Sequence, residues 1–299
     1  MIGVHQMLPL RDSAPLHGWR DLAEGARETW RARNLVFQLT VRDIRIRYKE
    51  AVMGFAWAIV MPVLVILSGL IVRMALSTAA GGAVDRVVVL ALAVKALAWG
   101  FFAGAVGTGT QSVTGSAHLV TKIYFPRAVL PLSATLSQGF DTCIATLALL
   151  LALPWLGATV SPALLWVPLL VLLLVGLTLT VNLVLSCANV FFRDVKYMVQ
   201  VMLTFGIFFT PVFFDASMVG QRGVKFLMLN PLAPILEGLT LVVSKGHNLS
   251  EPLVVLVNQV PVTVWVPEYL LYSAAWAIGG LIVSAWLFRR GEALIAEFV

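Results

Sequence analysis

Four histidines, two cysteines and 15 acidic residues are the groups from which a catalytic or metal centre would be assembled, and their spacing assembles none. His5, His17, His118 and His247 fall on separate elements, and Cys143 and Cys187 lie inside apolar runs without metal-ligand spacing, so no metal site is expected. No Gly-rich loop ends in Lys-Ser or Lys-Thr, so the chain has no phosphate loop of its own for ATP. No carboxylate pair stands at an active-site spacing, and no catalytic residue is assigned. Inside the long apolar runs the ionisable groups are Lys95 and Asp141, thin equipment for an ion-coupled transporter. Nor is there an internal repeat of the kind many secondary transporters carry. If the chain moves something, the energy comes from elsewhere. What stands out is a cationic group, Arg42, Arg45, Arg47 and Lys49, directly ahead of an uncharged stretch.

The elements that position these groups follow from composition. The 299 residues are 60% hydrophobic and 12% charged, with mean hydropathy +0.92, where a soluble domain carries about 25% charged residues. The expected fold class is therefore an all-α membrane protein. Between Glu50 and Arg73 lie 22 residues without a charge, and at about 1.5 Å per residue they can cross a hydrocarbon core of roughly 30 Å. Lys and Arg stay on the cytoplasmic side of a span. That places residues 1–50 inside as a loose tail and an amphipathic helix of the membrane interface, on which Leu22, Ala26, Trp30, Leu35 and Leu39 recur at helical spacing. With about 50 mostly polar residues ahead of it, the first apolar run is expected to act as an uncleaved signal anchor.

Residues 51–299 then form the transmembrane domain, with six spans near 51–74, 87–106, 128–153, 164–190, 197–214 and 269–288. On this topology fifteen of the 21 Lys and Arg residues are inside, so the net charge of +6 reads as topology signal and no nucleic-acid partner is expected. Pro154, Gly157, Ser161 and Pro162 mark an outer turn, and Pro62 should bend the first span. Lys95 stands close enough to the outer end of its span to snorkel, or else lines a polar path; Asp141 is expected to satisfy a polar partner between helices. A short helix is expected within Val113–Phe125, stopped by Pro126. Beyond Phe214, the apolar pieces Phe226–Leu236 and Leu239–Val243 are too short to span and suit a re-entrant helical hairpin at the outer side.

Four blocks carry a resemblance: RDIRIRYKEAVMGFAWAIVMP (Arg42 to Pro62), HLVTKIYFPRAVLPL (His118 to Leu132), NVFFRDVKYMV (Asn189 to Val199) and LNPLAPILEG (Leu229 to Gly238). In type and order they are similar to the ABC-2 type permeases, most of all the branch that exports O-antigen and teichoic-acid polysaccharides. They extend over about two thirds of the chain. Leu97-Ala98-Trp99 departs from the Leu-Pro-Trp common in that family, and Lys95 beside it is also unusual.

The resemblance implies a half-transporter in a bacterial inner membrane, with both termini cytoplasmic. Two copies of the chain would join two copies of a separate ATPase that binds ATP and Mg, leaving no cofactor in the chain itself. It implies a coupling helix between spans two and three that docks on the ATPase through Leu119, Lys122, Tyr124, Phe125, Pro126 and Arg127. In similar exporters the cargo is a glycan on an undecaprenyl-pyrophosphate carrier, and Arg42, Arg45, Arg47 and Lys49 stand at headgroup depth with donors suited to phosphate oxygens. Trp57, Trp99, Phe101, Phe102, Phe205, Phe208, Phe209 and Phe213 are the aromatic residues that could line a sugar channel, with packing against lipid or a second copy as the other use. Teichoic acid, capsular polysaccharide, a lipid or a drug are alternative cargoes. A membrane glycosyltransferase would need clustered acids or a base at one face, and none is found.

Overall fold

A computed structural model describes residues 18–49, 54–80, 85–122, 125–157, 161–257 and 259–298. Five of its helices are long and apolar enough to cross a membrane: α3 (Trp57–Ala80), α4 (Arg86–Thr110), α6 (Val129–Leu156), α7 (Val167–Phe191) and α11 (Pro267–Phe298). Ahead of them run α1 (Gly18–Arg31) and α2 (Arg33–Tyr48), broken from one another at Ala32. The short α5 (Ala117–Lys122) joins α4 to α6. The apolar helix α8 (Val195–Phe209) has 15 residues, roughly 22 Å of helix, against the hydrocarbon core of about 30 Å. Its end has a local cause. Pro211 has no N–H to give, and the residue before it, Thr210, is accordingly extended at ψ 144°.

The core is built around α4, which packs against α3, α6, α7, α8 and the later α10 (Leu232–Lys245). Two glycines let it come close to its neighbours. A Cβ at Gly104 would collide with Gln138 of α6, and one at Gly109 with Asn182 of α7. At that crossing Asn182 Nδ2 donates to Thr135 Oγ1 at 2.8 Å, so a polar bond joins α7 to α6 beside the α4 backbone. The outer turn expected from Pro154 onward begins later than that proline. Pro154 lies within α6, which continues to Leu156 and ends on Gly157 in the left-handed region (φ 72°); Ser161 then caps the next turn by accepting from Ala163 N–H.

After α8 the chain differs from expectation. A 3-10 turn (Ala216–Val219) leads to two helices, α9 (Gly220–Leu227) and α10, where the expected pieces Phe226–Leu236 and Leu239–Val243 lie; the expected break near Glu237 is absent, since α10 runs on through it and is buried from Leu232 through Val242. These are followed by two antiparallel strands, β1 (Leu253–Val257) and β2 (Val260–Trp265). The all-α expectation is therefore corrected to a helical bundle with a β-hairpin. Both strand sequences are rich in valine, which favours the pleated surface, and the two-residue connection places Gln259 at φ 65°. A lone hairpin is marginal; this one is held by Val262 and Val264, which pack on Ala216, Val224 and Met228, and by fully buried Trp265, whose Nε1 donates to Leu249 O at 3.0 Å.

The close approach at Gly109 generates a test. Gly109→Val should force Asn182 out of place and cost about 1–3 kcal/mol, read as a lower melting temperature of the detergent-purified chain. An unchanged melting temperature would mean that α4 and α7 do not meet this closely.

Candidate functional site

Four charges that sequence order keeps apart meet inside the bundle, at the end where α3 finishes and α4 begins. Lys95 of α4 is 1% exposed, and its Nζ lies 2.8 Å from Glu237 Oε2 of α10, 3.3 Å from Asp215 Oδ1 and 3.0 Å from the Phe214 carbonyl. Buried Arg73 of α3 pairs with the other oxygen of Asp215. The group is formally neutral, two cations against two carboxylates. Lys95 therefore does not snorkel to the membrane surface, because a charge within the fold is stabilised only where partners and hydrogen bonds replace water. Burial raises the Asp215 carboxyl pKa, but the Lys95 and Arg73 charges and their hydrogen bonds outweigh it and hold it below the ordinary carboxylate value.

A second polar group lies at the opposite, basic end, between α2 and α6. Arg47 pairs with Asp141, and its Nη2 donates to Ser137 Oγ at 3.2 Å. Tyr48 Oη donates to Asp141 Oδ1 at 2.6 Å. Burial first, then the bond to Asp141 and its charge, push the Tyr48 hydroxyl up to about 12, so it remains a donor at any physiological pH. Beside this group a cavity of about 320 Å³ is lined by Arg42, Arg47, Asp43, Gln111, Ser112 and Ser133, among others. The four cations expected at a lipid pyrophosphate thus divide. Arg47 is held by Asp141, Arg42 bonds to Asp43 through Nε at 3.0 Å and Nη2 at 2.8 Å, and Arg45 and Lys49 are exposed.

The segment expected to dock on an ATPase lies at this same end. Leu119 and Phe125 are half-buried against Val113, Val120 and Val129, and Lys122 is exposed. Tyr124 lies outside the described residues. Pro126 leads into α6, and Arg127 is engaged within the chain: its N–H donates to Glu292 Oε1 at 2.8 Å and its Nη1 to Glu292 O at 2.6 Å. Of the charges in this segment, Lys122 is the one directed outward.

The aromatic residues separate into two sets. Trp99, Phe101 and Phe213 are buried in the main core, and Phe102 packs beside Trp99 with ring centroids 5.9 Å apart. Buried rings cannot line a channel in this conformation; their use is packing. Phe213 leaves the expected helical face because α8 stops at Phe209. Phe205, Phe208 and Phe209 form an exposed face of α8, and Trp57 is exposed at the start of α3. Sequence reasoning missed the Arg73–Asp215–Lys95–Glu237 group. Lys95 was visible as a charge in an apolar run, but no local pattern links it to Arg73, Asp215 and Glu237.

The helices and their buried charge pairs define a multi-pass helical membrane protein. The chain belongs to the ABC-2 type transporter family, whose model matches residues 34–243, and is thus a transporter membrane domain rather than an enzyme. It is 28% identical over 260 residues to the O-antigen export system permease protein RfbA of Myxococcus xanthus, covering 83% of this chain and 95% of that protein. Two Klebsiella pneumoniae proteins of the same name are each 25% identical, over 204 and 210 residues, covering 68% of this chain and 77% of theirs.

The ionic cluster generates two predictions. Lys95→Met leaves Glu237 buried without its counter-ion and should cost about 3–5 kcal/mol; adding Glu237→Gln should recover part of the lost melting temperature. Equal melting of single and double variants would show that the pair is not coupled. The second concerns pH. Since the Asp215 pKa is depressed on folding, its stabilisation is present above the ordinary unfolded value of about 3.9 and is lost as pH falls through the folded value. Thermal stability should show no Asp215 contribution to its slope between pH 5 and 8. Below pH 4, wild type should lose stability more steeply than Asp215→Asn.

Proposed function

We propose that the chain is the membrane-spanning subunit of an ATP-driven exporter that carries a lipid-linked, O-antigen-like polysaccharide from the cytoplasm across the bacterial inner membrane. The observation that carries this reading is its likeness to O-antigen export permeases over 95% of the length of one of them. In this reading α8 is a sixth, short span, α9 and α10 dip into the membrane from outside, and both termini are cytoplasmic. Two copies assemble with two ATPase subunits, which supply the ATP and Mg chemistry.

Physical features support parts of it. A pyrophosphate at the inner leaflet requires uncompensated cations, and Arg45 and Lys49 are the exposed members of their group. The exposed Phe205, Phe208 and Phe209 face of α8 offers flat apolar surfaces of the kind sugar rings pack on, and suits a channel wall or the contact with the second copy. Exposed Lys122 shares its segment with half-buried Leu119 and Phe125, one charge and apolar side chains suited to docking on the ATPase, and Tyr124 is adjacent to Phe125 in sequence.

The test is copurification and export. The tagged chain should bring down an ATPase, and its deletion should leave lipid-linked glycan at the cytoplasmic leaflet. Lys122→Glu, and separately Tyr124→Ala with Phe125→Ala, should weaken ATPase association about tenfold or more and lower export at unchanged membrane levels. Normal export by both variants would overturn the coupling assignment. A chain that purifies without an ATPase would overturn the exporter reading itself.

A further inference from the structure

The side of the bundle where α1 and α2 lie is not closed. Between α6, α7 and the α1–α2 pair runs a groove of about 1960 Å³, about twice the upper range of pockets that hold small molecules. Its walls are almost wholly apolar, with Phe140 and Leu150 from α6, Val171 from α7, and Phe37 and Ile44 from α2. On α6 the lining extends from Leu132 to Leu153, roughly 32 Å of helix, which matches the hydrocarbon thickness of a bilayer at about 30 Å. Water gains nothing from such walls, and an unfilled groove forfeits the dispersion contacts that close packing provides. In a membrane, the material available to fill it is acyl chain.

The charges at the basic end say which lipid. Arg289, Glu292 and Arg33 are the charged residues of the groove lining. Arg289 is held by Glu28 at 2.8 Å, and Glu292 accepts from the Arg127 N–H. Arg33 is exposed, lies 6.0 Å from the centroid of the Trp30 ring, and forms no ion pair among the described residues. One uncompensated guanidinium suits the single negative charge of a phosphodiester, and an exposed tryptophan beside it belongs at headgroup depth.

We propose that this groove is a binding site for a membrane phospholipid with an anionic headgroup, its chains along α6 and α7 and its phosphate on Arg33 beside Trp30. The bound lipid completes the wall between α1–α2 and the spans. The proposal uses the membrane-spanning nature of the chain and does not depend on what it exports.

The experiment is lipid retention by the full chain, reconstituted in nanodiscs of equal phosphatidylglycerol and phosphatidylcholine, extracted into maltoside detergent and weighed by native mass spectrometry. Wild type should retain phosphatidylglycerol in preference to phosphatidylcholine. Thr146→Trp, which fills the groove from α6, should lose the retained lipid, and Gly139→Leu on the same wall serves if that variant fails to fold. Arg33→Gln should lower the preference for phosphatidylglycerol about fivefold. Leu172→Trp, on an exposed part of α7 outside the groove, should retain lipid as wild type does. Equal retention by wild type and the groove-filling variants would overturn the proposal. So would an Arg33→Gln chain with undiminished preference, or a lipid-free wild type whose self-association is lost in Thr146→Trp, which would make the occupant a second copy.

Discussion

The constraint on which the rest of the structure depends is the placement of Lys95. A lysine with 1% of its surface exposed is tolerated only where its charge is met, and here two carboxylates from distant parts of the chain meet it. Glu237 brings α10 against α4, and Asp215 brings in the link that follows α8. Arg73 then ties α3 to the same carboxylate. Between apolar helices in lipid, the hydrophobic effect has no preference for one packing over another. Charges that must find partners do, and four of them set the relative positions of α3, α4, α10 and the α8–α9 link.

The basic end uses the same physics for a different purpose. Asp141 holds Arg47 and Tyr48, and so fixes α2 along α6. Glu292 holds Arg127, and Glu28 holds Arg289, so the last helix is clasped both to the start of α6 and to α1. Most of the described carboxylates there are used in holding the fold, and exposed cations, among them Arg33, Arg45, Lys49 and Lys122, have capacity for phosphate or for an acidic partner. The proposed headgroup, pyrophosphate and ATPase contacts draw on cations that this division leaves exposed. A count of basic residues along the chain does not distinguish them.

The region after α8 shows how a short segment can be structural without being regular. Pro211 ends the helix, which frees Phe214 and Asp215 to turn their carbonyl and carboxylate toward Lys95. The β-hairpin then covers α9 through Val262 and Val264 and anchors through Trp265. Each piece is too small to be stable by itself. They persist because α10 is already buried in the bundle and presents an apolar face to build on.

From the sequence by itself came the membrane class, the presence of long apolar helices, the basic bias of one end and, through four blocks of resemblance, the family. These were legible because they are local or additive: span length, apolar runs, charge counts and short motifs need no knowledge of the fold. Asp141 could be read as a buried group in need of a partner, but not that Arg47 and Tyr48 would supply it. The β-hairpin was missed because its strands, five and six residues long, lie beyond the pieces read as re-entrant and are too short for their valines to give a clear periodic signal. Trp99, Phe101 and Phe213 looked equivalent to Phe205, Phe208 and Phe209; packing around α4 buried the first set and left the second exposed. Only the tertiary structure decided that Lys95 turns inward, because the carboxylates that make this favourable lie more than a hundred residues along the chain and reach it only once the helices have packed.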